Sequence, residues 1–287
     1  MSPDETGPTS REVVGPYVAQ CAATIRLSLP LVLADEPDAI HVARVATRRL
    51  RSALRTFRPL WTHGYSALRD ELRWYAGLLS RPRDLEVVGD WLGSLLSGPE
   101  ASARYGEGVA REIAERVRLD RDEALDIMRA ELDGDRFPAL VDALPPADWS
   151  AAAEVPADLL VSGLAAVPGR KALEEARSLP RGDDRPAALH ELRKTTKEAR
   201  YAVDALGPGA EDQAALWKKV TGTLGVAQDG HVAQAVLKEL AKDAPQHRAV
   251  WDALSAMVAQ EAAAAETEGL ALVAQTAEMP PAQVLNR

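Results

Sequence analysis

The sequence predicts an all-α protein made of two similar halves, and three observations carry that reading. Ala, Leu, Glu and Arg dominate a chain of 287 residues whose aromatic content is only 5%, the vocabulary of strong helix formers. Few windows alternate apolar and polar residues with period two, as half-buried strands would. A basic segment in the first half of the chain also recurs in the second half at the same internal spacing.

Taken in order, helices are expected over about 10–28, 37–58, 62–79, 83–96, 100–117 and 121–132. A second set follows over 155–166, 169–178, 185–206, 211–225, 229–243 and 246–265. Pro30, Pro37, Pro59, Gly98, Pro138, Pro180 and the run Gly207-Pro208-Gly209 mark the breaks. Proline lacks the amide hydrogen a helix interior needs, and glycine suits the turn that ends one. The stretch DALPPADWSAAAEVP, with paired prolines followed by small residues, falls near the middle of the chain. The expected organisation is therefore a tail at 1–11, a first helical half at 12–141, a linker at 142–156, a second half at 157–265 and a tail at 266–287.

The 46% hydrophobic content suffices for one large core or two ordinary ones. Cys21, the single cysteine, has no intrachain partner, which points to a reducing compartment. The start, MSPDETGPTS, is polar and acidic, and no stretch approaches the roughly 18 apolar residues that span a bilayer. No membrane partner and a cytoplasmic location are expected. The formal charge of -9 argues against a polyanionic partner when summed over the surface, so the placement of the cations decides the matter.

Residues 41–58 read HVARVATRRLRSALRTFR, with arginines at 44, 48, 49, 51, 55 and 58 and no acid among them. At about 100° per residue, His41, Arg44, Arg48, Arg51 and Arg55 fall within an arc of about 80°. Val42, Val45, Ala46, Leu50, Ala53 and Phe57 lie on the other side as a core face, with Arg49 flanking the stripe. In the second half, HELRKTTKEARYAVDAL (190–206) repeats the design: His190, Arg193, Lys197 and Arg200 share the offsets of His41, Arg44, Arg48 and Arg51. His190 follows His41 by 149 residues, the spacing of a duplicated half-domain rather than of a solenoid unit. A stripe made only for solubility would interleave Glu or Asp at i±4; the first stripe has none.

Both histidines are read as starting their stripes near helix N-termini, where backbone N–H groups favour an anion. Each could donate a hydrogen bond to a phosphate oxygen, order a neighbouring arginine, or be an ordinary core or capping histidine. Arg69 and Arg73 precede the turn-like Ser80-Arg81-Pro82-Arg83-Asp84, and Lys218 and Lys219 precede Gln228-Asp229. Asp84 and Asp229 follow His41 and His190 by 43 and 39 residues, and are read as helix N-caps or as orienters of basic side chains.

A stripe ten residues long covers about 15 Å of helix axis, which suits an extended anion. The arginine fork suits phosphate oxygens. Duplex readers usually carry Asn, Gln or Ser among the basic residues, and single-strand readers carry stacking aromatics. Here Trp61, Trp74, Tyr75 and Tyr201 read better as core or rim. Inorganic polyphosphate, with charge and oxygens but no bases, fits best; composition alone does not separate it from nucleic acid.

On the segments HVARVATRRLRSALRTFRP, RWYAGLLSRPRDLEVV, LHELRKTTKEARYAVDAL and LGVAQD, the chain resembles the CHAD domain, the conserved-histidine α-helical domain, over roughly residues 12–265. The resemblance implies two pseudosymmetric four-helix bundles with additional helices around a basic central groove that binds inorganic polyphosphate, and for some members targeting to polyphosphate granules. It implies ligand-facing roles for His41, Arg44, Arg48, Arg49, Arg51, Arg55, Arg73, Arg81 and Arg83. In the second half it implies them for His190, Arg193, Lys194, Lys197, Arg200, Tyr201, Lys218 and Lys219. Arg49 and Lys194 enter through the family pattern alone. Asp204 stands where the family commonly has a glutamate, a shorter side chain that could still order a basic neighbour, and Glu191 and Glu198 dilute the second motif. The ExExK opening of the hydrolase domain fused to many relatives is absent from this sequence.

The expected function is non-enzymatic binding, with no cofactor and no metal site. A metal-dependent phosphoanhydride hydrolase and a nucleic-acid-binding module are the rivals. No HExxH, Walker motif or compact acidic cluster lies on either stripe, and His63, His231 and His247 are scattered. The sequence does not set an oligomeric state.

Overall fold

The computed structural model describes residues 7–62, 65–96, 99–144, 148–243 and 248–279. The outermost parts of both tails, residues 145–147 of the expected linker, His63 and His247 lie outside them. The described residues are all-α: no strand forms among them, and extended pairing is confined to the bridges Thr9–Pro156 and Trp61–Trp149. Packing divides the chain into two units that do not follow the contiguous halves. Unit 1 takes Met1–Tyr17, Arg55–Leu60 and Ala151–Arg287; unit 2 takes Val18–Leu54 and Trp61–Ser150.

The first helix, α1 (Ser10–Leu33), opens on a reciprocal cap in unit 1. The Thr9 amide donates to Glu12 Oε2 at 2.8 Å and the Glu12 amide to Thr9 Oγ1 at 3.3 Å. Contrary to the expected break, α1 runs through Pro30. The buried positions Ile25, Ser28 and Val32 continue its core face past the proline, and packing outweighs the single lost hydrogen bond. By length and composition α1 is also apolar enough to cross a membrane, which the reading of the sequence had excluded. In this fold Val14, Val18 and Ile25 on one side of it are buried.

Unit 2 continues with α2 (Ala39–Thr56), whose last residues Arg55 and Thr56 belong to unit 1, and with α3 (Tyr65–Leu78), α4 (Ser80–Leu96), α5 (Pro99–Leu132) and α6 (Arg136–Asp142). The turn into α2 places Asp35 and Asp38 in the left-handed region, at φ 53° and 60°, which aspartate tolerates better than most side chains. Asp35 accepts two bonds from Arg121, at 2.7 and 2.6 Å. The two helices expected over 100–132 are one. No proline or glycine interrupts residues 118–121, and Arg118 bonds both Glu115 and Asp122 across that point. Pro138 lies in the first turn of α6 rather than between helices, where a missing amide hydrogen costs nothing. Tyr75 of α3 meets Phe137 of α6 with ring centroids 5.0 Å apart. Trp61 and Trp149 stack at 4.2 Å, so part of the expected linker is packed.

Unit 1 holds α7 (Ala157–Arg177), α8 (Arg185–Asp204), α9 (Glu211–Asp243) and α10 (Arg248–Thr276). Ala153 is buried, and the Ser10 amide and hydroxyl both donate to the Val155 carbonyl, tying the rest of the linker down. Helices expected as pairs over 155–178 and 211–243 are again continuous. α7 carries Pro168 inside it. In α9, Gly230 is a point of close approach to α10: a Cβ there would stand 2.6 Å from Ala262 Cβ. The missing side chain permits that packing. α10 runs past 265, the expected start of the tail, to Thr276, because Leu272 and Val273 still face the core.

Candidate functional site

The core face of α2 consists of Ile40, Ala43, Ala46, Thr47, Leu50, Ala53, Leu54 and Phe57, all buried. With His41 at zero, these span roughly 120–260° of the helix, directly beside the stripe at 280–360°. Val42, expected in the core, is 46% exposed, so the face is rotated toward the arginines. The consequence is physical. Arg44 is left with only 16% of its side chain exposed, and Arg48, Arg49 and Arg51 are partly buried, so these guanidiniums have lost much of their hydration.

The stripe in unit 2 is completed by α4. Its first turn is the segment read as a turn, and Asp84 lies within the helix, so it is no N-cap. It acts instead on a basic group: Asp84 Oδ1 stands 3.6 Å from Arg44 Nη2. Arg83 reaches Glu86 at 3.0 Å and Asp38 at 3.9 Å. His41 is the third residue of α2, in its first turn as expected. Its edge is exposed, yet partial loss of solvent and then the positive charge of Arg83 hold its pKa below the usual histidine value. Asp38 and Glu86 pull the other way and Arg48 adds to the depression. Arg44 is depressed too, first by burial, with Arg48 and Arg83 adding to it and Asp84 opposing. His41, Arg44, Arg48 and Arg83 thus form one electrostatic cluster, with the carboxylates of Asp38, Asp84 and Glu86 around it. Arg48 Nε is buried without a hydrogen-bond partner among the described residues.

Arg73 and Arg81 are exposed on α3 and α4. Arg73 is held by Asp70 at 2.9 Å, and among the described residues no contact joins either to that cluster.

Unit 1 repeats part of the pattern. Leu189, Leu192, Thr195, Thr196 and Ala199 bury one face of α8, with Arg193, Lys197 and Arg200 partly buried at its edge and Lys194 exposed. Arg200 donates to Thr221 Oγ1 at 3.5 Å and lies 3.8 Å from Asp204, the role expected for that shorter acid. Arg193 lies over Gly225 of α9, its guanidinium 3.7 Å from where a Cβ would stand. Arg55, in the last turn of α2, pairs with Glu198 of α8.

Other expectations for this unit change. His190 is the sixth residue of α8, beyond the first turn, so the helix terminus does not serve it. Asp229 lies inside α9 and caps nothing. Tyr201 falls on the stripe side, about 20° from His190, but only 8% of it is exposed, so its ring is packed rather than open to a ligand. Lys194 is held by Glu191 at 2.9 Å, Lys219 by Glu268 at 3.4 Å, and Lys218 is exposed.

The sequence reading missed Asp38, Glu86, Glu198 and Thr221 as partners of the basic groups. Glu86, three residues after Arg83, carried a helical i,i+3 signal. Asp38 and Glu198 pair across elements and carried none.

Residues 16–238 match the profile of the CHAD domain. Two Mycobacterium tuberculosis proteins, Uncharacterized protein MT2285 of strain CDC 1551 and Uncharacterized protein Rv2226 of strain H37Rv, are each 30% identical to this chain over 213 residues. The match covers 71% of this chain and 40% of each of them, so the chain spans well under half the length of these curated relatives. Among solved structures, PptA from Streptomyces chartreusis has a TM-score of 0.70 at 22% identity, covering 95% of this chain and 100% of that one. The CHAD domain from the plant Ricinus communis has a TM-score of 0.65 at 23% identity, covering 99% and 96%. At these identities the two structures establish the fold.

Proposed function

The chain belongs to the CHAD domain family, and from that premise we propose that it binds inorganic polyphosphate through the arginine-rich stripes of α2 and α8 without hydrolysing it. The observation that supports this most is the partly buried cluster of His41, Arg44, Arg48 and Arg83. Like charges crowded at the edge of a core are costly when bare, and a phosphate chain brings the oxygens that neutralise them. The guanidiniums have already shed part of their water, so binding releases ligand counterions without a full dehydration cost on the protein side. The carboxylates around the stripes face arginines: Asp84 meets Arg44, Asp38 and Glu86 meet Arg83, Glu198 meets Arg55 and Asp204 meets Arg200. That arrangement supports orienting roles rather than acid–base chemistry. Association with polyphosphate granules would follow from the same binding.

Titration with long-chain polyphosphate tests the proposal. Expected are binding that weakens steeply with salt and a melting temperature that rises with ligand. Absence of both refutes it. Efficient displacement by duplex DNA at physiological salt refutes the ligand preference. Metal-dependent release of orthophosphate that disappears on changing Asp84 or Asp229 refutes the non-enzymatic reading.

A further inference from the structure

Away from the stripes, unit 1 contains a cavity of about 290 Å³ that no part of the proposed function uses. One face of α7 forms its wall through Ala165, Ala166, Gly169 and Arg170, at the i, i+1, i+4, i+5 spacing of a single helical stripe. The buried Trp217 of α9 forms its floor, with the indole 3.2 Å from where a Cβ on Gly169 would stand. Leu206, just past the end of α8, and Met279, just past the end of α10, close the remainder. The opening exists because α10 packs chiefly on α9 and only lightly on α7, while the small side chains of α7 leave the gap unfilled.

The lining is mostly apolar, and Arg170 is its one charged residue. Arg170 is exposed and makes no ion pair among the described residues, unlike the paired arginines of α3, α5 and α6. An apolar cleft with a single cation at its rim selects a ligand with an apolar body and one anionic end. The volume lies at the small end of ligand pockets, which run from about 300 to 1,000 Å³.

We propose that this cavity binds a small organic monocarboxylate, its apolar body against Trp217 and its carboxylate on Arg170. The site is separate from the polyanion stripes, and its failure would leave the polyphosphate reading untouched.

The test is calorimetric titration of the intact chain with octanoate and benzoate, against octanol and benzyl alcohol as uncharged counterparts. The carboxylates bind in the millimolar range or tighter and exceed the alcohols by about tenfold, the worth of one charge-assisted hydrogen bond. Arg170→Gln removes that preference while the alcohols bind as before, and Ala166→Met, which fills the cavity, abolishes both. Polyphosphate binding is unchanged in either variant. No heat from any probe overturns the proposal, as does wild-type carboxylate binding by Arg170→Gln. If Ala166→Met melts early, the Arg170→Gln comparison alone decides.

Discussion

Replacing Arg48 with glutamine separates arginines that serve a ligand from arginines that serve the surface. Arg48 is partly buried, its Nε has no hydrogen-bond partner among the described residues, and no carboxylate is paired with it there. Its charge is therefore available to a phosphate oxygen. A charge-assisted hydrogen bond of that kind contributes about 1.5–3 kcal/mol, so Arg48→Gln should weaken polyphosphate binding about 10- to 150-fold. The salt dependence should shrink as well, with the slope of log K against log salt falling by about 0.7 for each phosphate of a single-stranded polyanion that the protein no longer neutralises. Arg73 is the control. It is 56% exposed and already neutralised by Asp70 at 2.9 Å, and its replacement should cost at most about fivefold. Fluorescence anisotropy with end-labelled polyphosphate over a salt series reads both quantities. Equal weakening in the two variants would refute the argument that burial and prior pairing decide which cations bind.

Four further outcomes follow from the structure. His41 has a lowered pKa in the ligand-free protein, and phosphate oxygens beside it would raise that pKa, so binding takes up a proton. Affinity should strengthen as pH falls through the bound-state value and level off below the free-state one, and His41→Gln should flatten that profile. An unchanged profile places the anion elsewhere. Because the unfolded chain binds this proton more readily, the His41 contribution to stability falls as pH drops below about 6.5; thermal melts of wild type and His41→Gln should converge above that pH. Asp84→Asn removes the 68% exposed carboxylate that orients Arg44 from 3.6 Å, so affinity should fall about two- to fivefold at low salt. A rise in affinity that vanishes near 1 M, where the screening length is about 3 Å, would refute the orienting role and show that Asp84 competes with the ligand. Gly230→Ala drives a Cβ to 2.6 Å from that of Ala262, which has no rotamer to escape into. It should destabilise the α9–α10 pair by about 1–3 kcal/mol, seen as a lower melting temperature; an unchanged one refutes the close crossing.

The sequence alone determined the helical class, the paired stripes and their family, because a period of 3.6 residues and the offsets between His41 and Arg51 are local properties of the chain. Through the family pattern it offered Asp204 as an acid that could order a basic neighbour, and Arg200, one helical turn earlier, is that neighbour. Tertiary packing decided what local patterns do not encode. Pro30 reads as a stop until a core face is seen to continue past it, and the close approach of Ala262 to Gly230 leaves no signal in residue order. The same packing rotated the core of α2 toward its arginines, leaving Arg44 desolvated and Val42 exposed. It brought Asp38 and Glu198 from other elements to balance Arg83 and Arg55. Which cations meet a carboxylate and which do not is a property of neighbours across space, and residue order records only neighbours along the chain.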